Sequence, residues 1–321
     1  MRHRPSLFLF VTTGMLGIAL SACGGSSTAK VTSTSLEPAA ETTVAAPSTE
    51  VTTTTPATTT PATFDGPSFL EVIDPALAPY NAVLGAAPDS PSVRSVLSAL
   101  GEDVPLPAGL TVNGVGHQWT LEFGETKDDQ TLSFNEFLDG PALEAFGAAV
   151  PTGWKQASFA TSGSLTTLLI THTDGRRVVL VSDSEAQNPG TGRAPLELQL
   201  STAATPGSTP AWIASLPALA GGELVEYIEA SGRIQDNGAG AGQYVLVRWR
   251  YPATQLDSLK AYLESGVVQS AGFGYDVDTF NGFESLVAVT IGDWTGSVLI
   301  GNASIDGVEY YDLVWSLSLV R

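Results

Sequence analysis

Two stretches of this chain match each other at a constant offset of 119, and that repetition limits the possible folds more than any other feature. Gly153-Trp154 falls on Gly272-Phe273, Ile170-Thr171 on Val289-Thr290, and Asp174 on Asp293. Val179-Leu180-Val181 falls on Val298-Leu299-Ile300 without a gap. Farther out the offset drifts, as it does where loops differ in length. Leu143-Glu144-Ala145-Phe146 then pairs with Leu259-Lys260-Ala261-Tyr262, and Leu196, Leu198 and Leu200 pair with Leu313, Trp315 and Leu317. The openings agree as well, Leu106-Pro107-Ala108 against Leu216-Pro217-Ala218. An ordered set of this kind implies a duplicated unit.

Each unit reads as strand, helix, then several strands. Trp119, Leu121 and Phe123 alternate with polar residues, and Val245, Val247 and Trp249 recur at the same period, the pattern of half-buried strands. In the second unit Thr254 and Asp257 signal a helix start, and Leu256, Leu259, Tyr262 and Leu263 make one apolar face ending near Gly266. In the first, Gly140-Pro141 delays the helix, with Pro141 in its first turn. Asp174-Gly175 and Asp293-Trp294-Thr295-Gly296 then sit between Val/Ile/Leu/Thr-rich strands and mark hairpins. The expected class is α+β: two tandem related modules, residues 105–202 and 203–321, each an antiparallel sheet with one helix packed on a face. Doubly wound α/β folds are disfavoured because helices and strands do not alternate. Residues 64–104 lie outside the repeat and form an N-terminal helical extension, with a helix from Ser90-Pro91 through Leu100 closed by Gly101.

The N-terminus carries a different message. Arg2, His3 and Arg4 precede an uncharged run from Leu7 to Leu20, too short to span a bilayer, for which roughly 20 apolar residues are needed. A basic start, a short apolar core and small residues at the end describe a cleaved signal over residues 1–22. Its end reads Leu20-Ser21-Ala22-Cys23, followed by Gly24-Gly25-Ser26-Ser27. This resembles the lipobox of bacterial lipoproteins, in which a branched aliphatic and two small residues precede the cysteine. The resemblance covers residues 1–23 and implies that Cys23 is diacylglyceryl-modified and becomes the new N-terminus, tethering the protein to an extracytoplasmic membrane face. Two acyl chains anchor stably where one does not. Cys23 is the only cysteine, so no intramolecular disulfide, zinc-thiolate site or cysteine nucleophile is available. Residues 23–63, rich in Thr, Pro and Ala, cannot bury enough apolar area to fold. As a flexible coil they reach about 35 Å.

Charge excludes one class of partner. Removal of residues 1–22 takes Arg2 and Arg4, leaving 12 basic against 33 acidic residues, near −21. Nucleic acid is repelled by such a chain, and no basic stripe offsets that. The lipid on Cys23 is left as the membrane contact.

Catalytic chemistry finds little support. The mature chain keeps His117 and His172. A Ser164-His172-Asp174 set can be named, but no Gly-x-Ser-x-Gly elbow accompanies it, and strand and turn positions explain both histidines. Asp128-Asp129 and Asp276-Val277-Asp278 lack the spaced ligands and closing Glu of a calcium loop and read as solvated turns. Gly238-Ala239-Gly240-Ala241-Gly242 precedes a strand, not a helix, so it reads as a hairpin connection and not a phosphate cradle. No catalytic residue, metal site or cofactor is therefore expected. Trp154 and Phe273 read as core. Trp294 sits at a predicted hairpin tip where the first module has Gly175, so it is expected to be exposed and to touch sugar, lipid or a partner protein. Alternation sends Arg248 and Arg250 to the face opposite Trp249, a small basic spot that receives an anionic group or neutralises nearby carboxylates. The expected function is a surface-tethered, non-enzymatic binding or scaffold lipoprotein whose partner is an envelope protein, a glycan or a lipid. Two alternatives stand beside it: a carrier holding an apolar or lipid ligand between helix and sheet, and a hydrolase using His172.

Overall fold

The computed structural model describes residues 66–97, 102–122, 124–187, 194–203, 209–232, 242–265 and 283–320. Eleven strands among them form one antiparallel sheet, in the mixed α+β class. Along the chain these are β1 (Val112–Glu122), β2 (Glu125–Phe134), β3 (Trp154–Ser162), β4 (Leu165–His172), β5 (Arg177–Asp183), β6 (Leu196–Ala203), β7 (Glu223–Gly232), β8 (Gly242–Pro252), β9 (Phe283–Ile291), β10 (Trp294–Ile305) and β11 (Val308–Val320). Across the sheet the order is β3-β4-β5-β6-β2-β1-β7-β8-β11-β10-β9. The sheet is continuous, because β1 pairs with β7 from Gly114↔Gly232 to Thr120↔Glu226.

Helices cover one face. They are α1 (Gly66–Ala82), α2 (Pro91–Val96), α3 (Gly140–Ala148), α4 (Ala211–Ser215) and α5 (Leu256–Glu264). Phe69, Ile73 and Leu77, four apart, give α1 a buried stripe. Pro75 and Pro79 lie inside this helix but on its exposed side, where the carbonyls they leave unbonded meet water. In α2 the Ser90 hydroxyl accepts from the Val93 N–H, and in α3 the Asp139 carboxylate caps by accepting from Ala142. The predicted cap of the second-unit helix is not made. Ala253–Gln255 form a 3₁₀ turn, Gln255 stands at the N-cap with no side-chain bond, and Thr254 lies outside α5. Leu259, Tyr262 and Leu263 nevertheless make its buried face.

Two apolar clusters fill the space between helices and sheet. One gathers Phe69, Ile73, Leu77, Trp212 and α5 over β7 to β11. The other gathers Val83, Val93, Leu143 and Trp154 over β1, β2 and β4 to β6. Tyr80 packs against both.

Strand pairing corrects two expectations. Two strands, β1 and β2, precede α3, and two, β7 and β8, precede α5; Val245, Val247 and Trp249 lie on β8, the second of its pair, whereas Trp119 and Leu121 lie on β1, the first of the other. The β4–β5 turn also holds one residue more than the β9–β10 turn. Gly292 and Asp293 alone separate Ile291 from its partner Trp294, whereas His172 N–H reaches back to the Arg176 carbonyl. The ungapped match of Val179 to Val298 therefore slips by one on β10. Val178 and Leu180 are buried in β5, and Val298 and Ile300 in β10. Gly296 is not in a turn. It lies in β10 opposite Leu317, where any Cβ would run into the Ser316 carbonyl oxygen, and close backbone approach explains the glycine. Phe123, Leu100, Gly101, Gly238-Ala239-Gly240-Ala241, Gly272-Phe273 and Asp276-Val277-Asp278 lie outside the described residues.

Candidate functional site

The seam between the two apolar clusters is polar. Period-two alternation along β1 puts Val115, His117 and Trp119 on the helix-covered face. His117 is opposite Gln130 on β2 and Glu229 on β7. Its Nε2 lies 2.9 Å from Asp128 Oδ1, and its Nδ1 lies 3.6 Å from Glu229 Oε2. Helices close the group from above. Tyr80 donates to Glu229 Oε2 at 3.1 Å, and Trp212 Nε1 donates to Glu229 Oε1 at 2.6 Å. Tyr227 meets His117 edge-on at 5.4 Å and stacks on Trp119 at 5.8 Å. Burial pulls the His117 pKa down, but hydrogen bonds and charge from Asp128 and Glu229 outweigh it and hold it up at about 9. Burial and the Glu229 charge push the Tyr80 and Tyr227 hydroxyls well above the ordinary tyrosine range. Asp128-Asp129 is thus no solvated turn. Both residues lie in β2, Asp128 facing His117 and Asp129 turned to Ser201 and Gln199 on the other face. The two carboxylates take opposite nitrogens of one ring and do not converge. Among the described residues no cluster of His, Cys, Asp and Glu is placed to hold a metal ion.

A second histidine cluster lies at the end of β4. His172 Nδ1 is 2.7 Å from Asp174 Oδ1, and Nε2 is 3.6 Å from Asp103 Oδ2. Arg176 forks onto both oxygens of Asp103 at 2.8 and 2.9 Å, reaches Asp174 at 2.8 Å, and covers the Trp154 ring at 5.3 Å. Trp154 Nε1 in turn donates to Asp103 at 3.2 Å. The Arg176 hydrogen bonds hold the Asp103 carboxyl below its usual range. Desolvation pushes Asp174 up, while the Arg176 N–H, His172 and the Arg176 guanidinium bring it down to about 2. Ser164 is elsewhere. It precedes β4 at Leu165, whereas His172 ends the strand. Eight steps at about 3.3 Å separate their backbones by roughly 26 Å, so Ser164, His172 and Asp174 form no triad.

The sequence-derived binding candidates also change character. Arg248 and Arg250 stand on the face opposite Trp249, inside a chain of cross-strand ion pairs. Arg250 Nε and Nη2 fork onto Asp312 at 2.9 and 3.0 Å. Arg248 Nε lies 3.0 Å from Glu226 Oε2, close enough for an ion pair although its N–H is not aligned for a hydrogen bond. Gln118 donates to the other oxygen of Glu226 at 2.6 Å. These arginines neutralise carboxylates of their own sheet. Trp294 is not exposed: it is the first residue of β10, 2 % accessible, with the Phe69 ring edge-on at 6.1 Å. The hairpin tip is Gly292-Asp293, and strand alternation turns Trp294 to the helix-covered face beside Val298. α1, which lies in the helical extension expected over residues 64–104, covers it.

Sequence reasoning missed Tyr80, Trp212 and Glu229. Phe69, Ile73 and Leu77 carried the signal for α1, and with it Tyr80, but nothing local joins Trp212 to Glu229. Compared with known proteins, the chain matches no family model, no curated protein and no solved structure.

Proposed function

We propose that this chain is a non-enzymatic binding lipoprotein, held on an extracytoplasmic membrane face by lipid on Cys23 and lifted clear of it by residues 24–63. One observation carries the non-enzymatic part: both described histidines have carboxylates at their two ring nitrogens and, among the described residues, no serine or threonine bonded to either. His172 has acids on both sides and Ser164 at the far end of its strand. His117 is shut between Asp128 and Glu229 beneath Tyr80 and Trp212.

Two related modules, residues 105–202 and 203–321, make up the binding part, with residues 64–104 packed on them. The reading is supported by the pairing register. From the centre outward the first half runs His117↔Gln130↔Leu200↔Val178↔Ile170. The second runs Glu229↔Val245↔Leu317↔Gly296↔Val289. Two of the five ladder positions coincide with residues that sequence matching pairs, Ile170 with Val289 and Leu200 with Leu317, which supports the reading. At the centre His117 faces Glu229. On this reading equivalent positions meet across a local two-fold axis, as in a symmetric dimer fused into one chain. Its partner in the envelope is a protein, a glycan or a lipid.

The experiment is labelling of the native protein with a fluorophosphonate probe, beside a known serine hydrolase. No labelling above background is expected, and Ser164→Ala leaves the result unchanged. Stoichiometric labelling lost in Ser164→Ala or His172→Ala would overturn the reading in favour of a hydrolase.

A further inference from the structure

On one side the eleven-stranded sheet ends at β3. An edge strand turns a row of backbone groups to solvent, and proteins commonly blunt such edges with a lysine or a bulge. In β3 both devices sit in the first half: Lys155 lies there, and the pairing with β4 slips at Ala157. From Ser158 to Ser162 the register is regular, and all of these residues except the half-buried Phe159 are exposed. Hydrogen-bond alternation fixes which backbone groups face outward. The His172 N–H bonds the Arg176 carbonyl, and the Ser184 N–H bonds the Ser164 carbonyl, so the even-numbered residues of β4 bond towards β5. Leu165, Thr167 and Leu169 therefore bond towards β3, to Ser162, Ala160 and Ser158. The N–H and C=O of Phe159 and Thr161, which alternate with these, point away from the sheet.

Charge and register select what meets this edge. Residues 156–171 contain no charged side chain, in a chain whose net charge is −19. Two copies repel over most of their surface but can approach here without opposing like charges. The sequence about Ala160 is also self-complementary. In an antiparallel pair centred on Ala160, Phe159 and Thr161 of the second copy exchange two hydrogen bonds, and the symmetric pair exchanges two more. Ser158 then stands opposite Ser162, Ala160 opposite itself, and Lys155 falls outside the ladder. Aromatic against β-branched and hydroxyl against hydroxyl are favourable cross-strand neighbours.

We propose that two copies of this chain join through β3, antiparallel about a two-fold axis at Ala160, so that one sheet runs through both. The test is sedimentation equilibrium of the mature chain carrying Cys23→Ser. A reversible monomer–dimer equilibrium is expected with a dissociation constant on the order of 10–100 μM, since one strand pair buries less than the roughly 1,200–2,000 Å² of a stable interface. Thr161→Pro removes an outward N–H that the sheet does not use, and proline is tolerated on an edge strand. Ala160→Lys sets like charges directly opposite at an exposed position. Each variant should unfold at the wild-type urea midpoint and dimerise at least about ten-fold more weakly. Directly opposed, non-hydrogen-bonded residues have Cα atoms about 4.5 Å apart, within disulfide reach, so oxidised Ala160→Cys should form a covalent dimer far faster than Lys155→Cys. A monomer at every concentration, a dimer unaffected by Thr161→Pro and Ala160→Lys, or equal cross-linking of the two cysteine variants would overturn the proposal.

Discussion

Trp294→Ala is expected to lower the free energy of unfolding by about 3–5 kcal/mol, the usual cost of removing a large aromatic side chain from a core. Trp294 is 2 % accessible and stands at the corner where β9 turns into β10, with Phe69 of α1 against it. Its loss opens a cavity beneath α1, and the helix cannot collapse into it without breaking the stripe of Phe69, Ile73 and Leu77. Urea unfolding followed by tryptophan fluorescence and by far-UV circular dichroism reads the change. A surface tryptophan would cost little, so a loss under about 0.5 kcal/mol would return Trp294 to the surface and remove α1 from its place.

The second large effect depends on pH. The His117 pKa is about 9 in the folded protein, against roughly 6.5 for an unfolded histidine. A raised folded pKa means that the contribution is fully present below about 6.5 and is lost as pH rises through 9. A shift of that size corresponds to about 3 kcal/mol. Unfolding free energy should therefore fall by about that amount between pH 6 and pH 9.5, and His117→Gln should flatten the fall. The groups facing His117 are Asp128, Glu229, Tyr80 and Tyr227. The two tyrosines are held above the ordinary range and do not ionise within this window. Equal pH dependence in wild type and His117→Gln would mean that the imidazolium is not held between the two carboxylates.

Both effects turn on contacts that local sequence does not carry. The alternating strands and the apolar face of α5 were legible, because period-two and period-3.6 burial is written in single residues. α1 was legible only as part of a helical extension over residues 64–104, and its two prolines, Pro75 and Pro79, are tolerated on its exposed side. Its packing over β10 was not legible, so Trp294 had no cover, and Asp293-Trp294-Thr295-Gly296 passed for a hairpin tip. Gly296 misled in the same way, because a glycine required by the Ser316 carbonyl looks like one required by a turn. The candidate sites were legible only residue by residue. Arg248 and Arg250 were placed on their face by alternation, but Asp312 and Glu226 come from other strands. His117 was visible, whereas its partners arrive from β2, β7, α1 and α4.

The proposed tether is tested most directly by mass spectrometry of the N-terminal peptide from protein extracted with detergent from the cells that make it. The expected peptide begins at Cys23 and carries a diacylglyceryl group, and it is absent when Cys23→Ser is expressed. A peptide that begins at Met1, or one cleaved elsewhere without lipid, would contradict it.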